Sequence, residues 1–180
     1  AQDGASYTFR AKAVDAAGNE SALASQAVEV NLTPVVINEI AWAGTIASAN
    51  DEWIELHNPS ADPIDIAGWR LSDGGDINVS LAGSLPGYSY FLLERTDETT
   101  GSDLAAEKIY TGSLRNSGER LELIGPAGEI VDTANSGGGG WPAGHADSRA
   151  SMERRGGTDL PGNWATFSGY LGNGLDAGGN

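Results

Sequence analysis

The fold of this chain is decided by the stretch DEWIELHNP, residues 51–59. Its polar and apolar residues alternate, so that Trp53, Glu55 and His57 share one face, while the isoleucine and leucine between them share the other. Strict alternation of this kind is typical of a β-strand that is buried on one side only. We therefore predict a strand here, with its two aliphatic side chains facing a core.

Stretches of the same kind recur along the chain at short, regular intervals. Glycine, proline, asparagine and aspartate stand between them, and these residues favour turns. No segment keeps a helical apolar period for two full turns, so helices are not expected. The pattern predicts an all-β protein, an antiparallel sandwich or barrel. With residues 52–58, the candidate strands are 8–14, 27–32, 35–42, 64–72, 77–81, 89–94, 107–110, 120–124, 130–134, 148–154 and 164–167.

The composition excludes several classes of protein. The 180 residues include 25 acidic and 10 basic ones, a net charge of −15, which argues against a surface that binds nucleic-acid phosphates. Cysteine is absent, so disulfides, thiolate nucleophiles, zinc fingers and iron–sulfur clusters are excluded. No apolar run approaches the roughly 20 residues that span a bilayer, so membrane insertion is not expected. The chain starts at Ala1 without a signal-like segment, and we expect a piece of a longer protein.

Residues 1–33 are predicted to form a β-hairpin that belongs to a separate domain, because Pro34 breaks the strand pattern after it. The stretch from Tyr7 to Asp15, with the following Gly18-Asn19-Glu20-Ser21, resembles the last two strands of a fibronectin type III domain. That resemblance implies that Tyr7 forms the tyrosine corner of the family. An isolated hairpin is marginally stable. We therefore expect it to dock on an edge strand or an end of the following domain, the alternatives being pairing with another chain or poor order.

A longer resemblance covers residues 35–176. Its motifs are VINEI (residues 36–40), the 51–59 stretch, IDIAGWRLSD (64–73), RLELI (120–124), GEIVD (128–132), SMER (151–154) and Asn163-Trp164. In this order and spacing they resemble a lamin tail domain of the bacterial type. The resemblance implies an immunoglobulin-like β-sandwich, which agrees with the strand pattern. The glycine-rich residues 177–180 are expected to form a flexible tail.

The polar and aromatic residues of these motifs are expected to have structural roles. Glu39 and Glu55 interrupt apolar strands, and each could accept hydrogen bonds from loop backbone or pair with Arg70. The residues assigned to this structural group, besides Tyr7, are Asn38, Glu39, Trp53, Glu55, Asn58 and Trp69.

No coherent catalytic set is present in the sequence, so an enzyme is not expected. His57 and His145 are the only imidazoles, and neither a His-Glu-x-x-His nor a Gly-x-Ser-x-Gly motif occurs. The tetraglycine 137–140 runs into Trp141-Pro142 and lacks the lysine of a phosphate-binding loop. Two carboxyl groups roughly 5–9.5 Å apart could hydrolyse a glycosidic bond. The candidates for such a pair are Glu39, Glu52, Glu55 and Glu94.

Two kinds of binding site stay open. Calcium is the one cofactor considered, because loop carboxylates are ligands that it prefers, although the same residues are common turn formers and no EF-hand pattern occurs. These carboxylates are Asp73, Asp76, Asp97, Glu98, Asp103 and Asp159. The candidates for ligand contact are Trp42, Trp141 and Tyr170. Loop aromatics stack on sugars or anchor protein partners, and the alternative is that they cover the open ends of the sandwich.

The expected function is therefore a non-catalytic interaction or structural module of a larger bacterial protein, secreted or displayed at the cell surface. The lamin tail resemblance implies this role, and the acidity would keep an exported module soluble. The alternative is a carbohydrate-binding accessory domain of an exported enzyme. The partner would be a protein or a glycan at the cell surface, with no nucleic acid and no membrane insertion.

Overall fold

Two compact units divide the chain, Ala1–Pro34 and Val35–Asn180. In this computed structural model, residues 5–30, 35–169 and 175–180 are described, with the side chains of the first range described from 8 to 27. Strands and turns make up nearly all of the regular structure in these ranges. The strands are β1 (Ala5–Ala11), β2 (Ala24–Val30), β3 (Val36–Ala41), β4 (Trp53–His57), β5 (Ile64–Asp65), β6 (Arg70–Ser72), β7 (Asn78–Ser80), β8 (Ser84–Leu85), β9 (Tyr90–Arg95), β10 (Lys108–Tyr110), β11 (Leu121–Ile124), β12 (Ile130–Ala134), β13 (Met152–Arg154) and β14 (Trp164–Thr166). A single 3₁₀ turn, Pro161–Asn163, precedes β14.

The first unit is an antiparallel hairpin of β1 and β2. The loop between β1 and β2 is organised by Asp15. Its carboxylate accepts hydrogen bonds from the N–H groups of Ala17 and Asn19, both 2.9 Å long. Aspartate favours such turns because its side chain bonds to backbone two residues on. Both strands begin three residues earlier than the sequence pattern predicts. The side chain of Tyr7 lies outside the described residues, so the fibronectin-like corner stays a prediction.

The second unit is built on a six-stranded sheet of order β10-β9-β4-β3-β13-β14. The predicted alternation of the central strand β4 is confirmed: Ile54 and Leu56 are fully buried, while Trp53, Glu55 and His57 are half-buried on the opposite side. The neighbouring strand β9 follows the same rule in register with β4 from Tyr90 to Leu93, whereas Glu94, opposite Trp53, is buried. One side of this sheet therefore faces a core, and the other side carries mostly polar residues.

A four-stranded antiparallel sheet of order β12-β11-β6-β7 supplies the other half of the core. Aliphatic side chains from both sheets form one buried cluster, together with the indoles of Trp42, Trp69 and Trp164. The fully buried members include Ile37, Ile40, Ile54, Leu56, Leu71, Leu93, Leu121, Leu123 and Met152. The predicted all-β, immunoglobulin-like sandwich is thereby confirmed.

Two details of the topology differ from the sequence prediction. β10 runs parallel to β9, and parallel neighbours need a crossover, which residues 96–107 supply. The single strand predicted over 64–72 is two strands in different sheets, because Gly68 turns the chain between them with φ +79°. The first of these, β5, pairs with β8, a two-residue strand that the sequence pattern does not reveal.

Asn58 fixes this β5–β8 pair to the end of β4. The residue is fully buried, and its amide N–H₂ donates to the carbonyls of Asp62 at 2.8 Å, Leu85 at 3.1 Å and Pro86 at 3.0 Å. Its Oδ1 accepts from the N–H of Ser60 at 3.0 Å. A buried amide that meets this many partners holds loops in one arrangement, since each unpaired group would lose its solvation without compensation.

Residues 177–180, expected from their glycines to be flexible, close a turn on Asp176. The carboxylate of Asp176 is buried and accepts from the N–H groups of Gly178 and Asn180, both at 2.9 Å. It also accepts from the N–H of Ala47 at 3.0 Å, which ties this turn to the loop after β3.

Candidate functional site: the outer face of the six-stranded sheet

A row of carboxylates crosses the side of the six-stranded sheet that points away from the core, here called the outer face. Glu153 on β13 lies opposite Glu39 on β3, and Glu39 lies opposite Glu55 on β4. Leu92 on β9 comes next, and its N–H donates to the carboxylate of Glu107 at 2.6 Å. We call Glu153, Glu39, Glu55 and Glu107 the acidic row.

A β-bulge sets the alignment of this row. The register between β3 and β4 shifts between Ile37 and Glu39, so that Asn38 has no opposite residue. The amide of Asn38 donates to Glu55 Oε1 at 2.7 Å. A bulge re-aims the side chains that follow it, and this one places Glu39 directly beside Glu55 on the outer face.

The central carboxylates of the row are held by uncharged donors. Ser151 donates its hydroxyl to Glu39, as Asn38 donates to Glu55. Burial, together with the like charges of Glu55 and Glu153, raises the pKa of Glu39 to about 7 against the opposing effect of the Ser151 hydrogen bond. Burial likewise raises the pKa of Glu55, with Glu107 and Glu153 adding to it.

Two other buried carboxylates have arginine partners instead. Asp132 meets Arg154 at 2.8 Å, and Glu52 meets Arg95 at 3.0 Å. The predicted pairing of Glu39 or Glu55 with Arg70 is wrong, because Arg70 lies on β6 of the other sheet and donates to Asn78 at 3.4 Å. Ionised carboxylates directly opposite each other in a sheet are destabilising, so the acidic row does not stabilise the fold when its members are charged.

Aromatic rings flank the acidic row. His57 on β4 and Tyr90 on β9 stack with ring centroids 4.5 Å apart and planes 20° from parallel. Tyr90 is 52% exposed, and Trp53 lies half-buried further along β4. Burial lowers the pKa of His57. The outer face thus combines carboxylates with aromatic rings, of which Tyr90 is exposed.

The four carboxylates considered for glycoside hydrolysis do not converge. Glu39 and Glu55 are neighbours on the outer face. Glu52 shares the inward side of Ile54 and is tied to Arg95 and to the N–H of Leu114 at 2.7 Å. Glu94 is fully buried beneath the 96–107 crossover, where the N–H of Gly101 donates to it.

Trp42 and Trp141, two of the predicted ligand contacts, stack on each other with centroids 6.3 Å apart. Trp42 is buried, and its indole N–H donates to the carbonyl of Ala143 at 3.0 Å. The indole N–H of Trp141 donates to the carbonyl of Arg115 at 2.8 Å. Both rings pack against the core cluster, and neither indole N–H is free to meet a ligand. The third residue, Tyr170, lies outside the described residues.

The candidate calcium ligands are spread over separate loops. Within the described ranges, no three carboxylate or imidazole side chains come close enough together to hold a metal ion. Asp73 accepts from the backbone N–H groups of Gly75 and Ile77, and Asp97 from that of Thr99. The remaining contacts are those of Asp76 with Ser113, Asp103 with Leu175, and Asp159 with Asn135, Ser136, Thr133 and Trp164.

Sequence reasoning missed the stacking of His57 on Tyr90. The signal that could have found it is the register of β4 and β9, since two outward-facing aromatic rings at opposed positions come together in any antiparallel pair. It also missed Arg154, which lies within the SMER stretch and whose guanidinium is buried between the two sheets.

The fold is a β-sandwich, and its outer face is a candidate binding surface. Among the described residues, no set of side chains is arranged as a catalytic centre. The chain belongs to the Lamin Tail Domain family, whose model matches residues 29–138, more than half of the sequence. This family consists of non-catalytic immunoglobulin-like domains that serve as interaction or structural modules. No curated protein matches the chain. Of the helical structure in the described residues, none is long and apolar enough to cross a membrane.

Proposed function

We propose that this lamin tail domain is an interaction module of a bacterial protein that is secreted or displayed at the cell surface, and that its outer face binds a basic segment of a protein partner. The observation that carries the proposal is the direct opposition of Glu39 and Glu55, with uncharged hydrogen-bond donors and no arginine or lysine partner among the described residues. An export location is supported by the net charge of −15, which keeps an extracellular module soluble.

A basic partner is favoured by the electrostatics of the acidic row. Its carboxylates repel one another across three adjacent strands, and a lysine or arginine placed over them would relieve that repulsion. The exposed ring of Tyr90 and the half-buried ring of Trp53 offer apolar contact beside the charges. Aromatic residues at the centre of an interface contribute strongly to affinity.

A carbohydrate-binding role is the second candidate, and the stacked pair His57–Tyr90 favours it. An exposed aromatic face can stack on a sugar ring. The pair Trp42–Trp141, which the sequence suggests for this role, already uses both indole N–H groups within the protein. A glycan would therefore bind at the outer face, where it competes with a basic segment for the same side chains.

Titration of the whole chain with a lysine-rich peptide tests the first candidate. We expect shifts in the NMR signals of β3, β4 and β13, and we expect Glu55→Gln to weaken binding about tenfold, as the loss of one charge pair predicts. Glu122→Gln is the matched control, since Glu122 is a half-buried carboxylate on β11 of the other sheet. Equal loss of peptide affinity in both variants would show that binding depends only on the net charge of the protein, and it would overturn the proposal.

A glycan array separates the two candidates. The carbohydrate-binding role would replace the peptide-binding role if two results came together. The protein would bind a glycan and lose this binding in Tyr90→Ala, and it would not bind the peptide at the acidic row.

A further inference from the structure

Glu94 is a fully buried carboxylate at the outer face, and it is the point at which the crossover is attached. One oxygen, Oε1, accepts the N–H of Gly101 at 2.9 Å. The other, Oε2, is buried with no partner in the described residues, and so is the hydroxyl of Thr100, a residue that is 3% exposed. We call residues 96–107 the crossover segment. It passes over the end of β9 and covers Glu94.

The charged groups that act most on the pKa of Glu94 are both negative. Asp97 and Glu98, both on the crossover segment, face it, while its neighbours in the sheet are the uncharged Trp53 on β4 and Ile109 on β10. Burial raises the pKa of Glu94, and Glu98 and Asp97 raise it further against the amides of Gly101 and Thr100. An ionised carboxylate in this position lacks both solvent and a counter-charge, and burial disfavours this charged form more strongly than the neutral carboxyl group.

The crossover segment in turn holds the C-terminal turn. The N–H of Ser102 donates to the carbonyl of Leu175 at 2.7 Å, and the Ser102 hydroxyl donates to the carbonyl of Asp176 at 3.1 Å. The carboxylate of Asp103 accepts from the N–H of Leu175. A surface cleft of about 430 Å³ lies between loop 47–51, the start of the crossover segment and Ala177. Movement of the segment would therefore change the C-terminal turn and this cleft together.

We propose that Glu94 is a pH-sensitive latch: in its neutral form it holds the crossover segment in place, and with it the C-terminal turn, and its ionisation releases them. The neutral form carries its proton on Oε2, the oxygen that has no donor, and keeps Oε1 as acceptor for Gly101. Release exposes the carboxylate to water, where its pKa returns to the ordinary glutamate range. The open form therefore gains population as pH rises through the raised pKa.

Amide hydrogen exchange of the whole chain, resolved by NMR and corrected for intrinsic rates, tests this latch. A single ionisation can change the opening equilibrium by at most about tenfold per pH unit. We expect the opening equilibrium of Thr100, Gly101 and Ser102 to rise with pH between about pH 5 and about pH 8. Core amides of β4 should show no such rise. Constant protection of the crossover segment over this range would overturn the proposal.

Two variants separate the latch from a general effect of pH. Glu94→Gln keeps the acceptor and cannot ionise, so its crossover segment should stay protected at both pH values. Glu98→Gln removes one exposed like charge, so it should retain the transition with a smaller rise. A full rise in Glu94→Gln would assign the effect to other groups, and an unchanged rise in Glu98→Gln would remove like-charge repulsion from the mechanism.

Discussion

At the scale of single residues, Arg154 joins the two sheets of the sandwich. Its guanidinium donates to the carbonyl of Ile37 at 2.8 Å and pairs with Asp132 at 2.8 Å, while its Cζ lies 4.6 Å from the ring centroid of Trp164. Asp132 also accepts the N–H of Ile37 at 2.8 Å. The side chains of this ion pair are only 3% and 8% exposed. The pair therefore connects β3 and β13 with β12, the edge strand of the other sheet.

Removal of this arginine should destabilise the second unit strongly. Arg154→Ala leaves Asp132 as a buried charge without its partner, which typically lowers the free energy of unfolding by about 3–5 kcal/mol. Denaturation by urea measures the change. Arg120→Ala is the control, since Arg120 pairs with Glu122 at the surface, 43% exposed, and such pairs contribute about 1 kcal/mol or less. Equal losses in the two variants would show that Arg154 does not stabilise the join between the sheets.

The role of Arg154 could not be predicted from the sequence, although its position in a strand could. Its partners Ile37 and Asp132 are 117 and 22 residues away along the chain, and only the packing of one sheet on the other brings them together. The alternation of a strand predicts on which face a side chain lies, but it does not predict which residues that side chain contacts.

At the scale of elements, the acidic row makes the stability of β3 and β4 depend on pH. The pKa of Glu39 is about 7 in the folded protein against an ordinary value of 4.5, so the folded state holds its proton longer than the unfolded state. The stabilisation is complete below the ordinary value and is lost as pH rises through about 7. Between these limits the free energy of unfolding should fall with rising pH, by about 3 kcal/mol at most for this one group.

Glu39→Gln should remove this part of the pH dependence. Urea denaturation at several pH values between about 5 and about 8 measures it, with Glu122→Gln on the opposite sheet as the control. Denaturation curves of Glu39→Gln that follow those of the unaltered protein at every pH would contradict the assignment to Glu39.

The elements themselves were largely predictable, because alternation in this chain is strong. The strand over 52–58 and its inward pair follow from seven letters of sequence and are confirmed by β4. The failures have local causes. Gly68 divides one apolar stretch between two sheets, and the parallel direction of β10 depends on where the crossover segment returns to β9. The apolar periodicity of a sequence shows neither where the chain passes from one sheet to the other nor whether a strand runs parallel or antiparallel to its neighbour.

At the scale of the whole molecule, the sequence predicted the kind of domain better than its surface. Motif order was sufficient for the sandwich and the family, since both depend on the spacing of buried residues. The candidate surface depends on cross-strand register, and the bulge at Asn38 shifts that register by one residue. Without the bulge, Glu39 and Ile40 would exchange faces, and the acidic row would not exist.

The hairpin of residues 5–30 gives the last test, which concerns the chain as a whole. Two strands alone are marginally stable in water, and this unit exposes 65% of Phe9 and 58% of both Val14 and Leu23. We predict that it docks on the sandwich unit, so that the amides of β1 and β2 exchange slowly in the whole chain and equally so at low and high protein concentration. Protection that grows with concentration would instead show pairing between chains. Fast exchange throughout the hairpin would show that two strands remain unsupported, which contradicts docking of either kind.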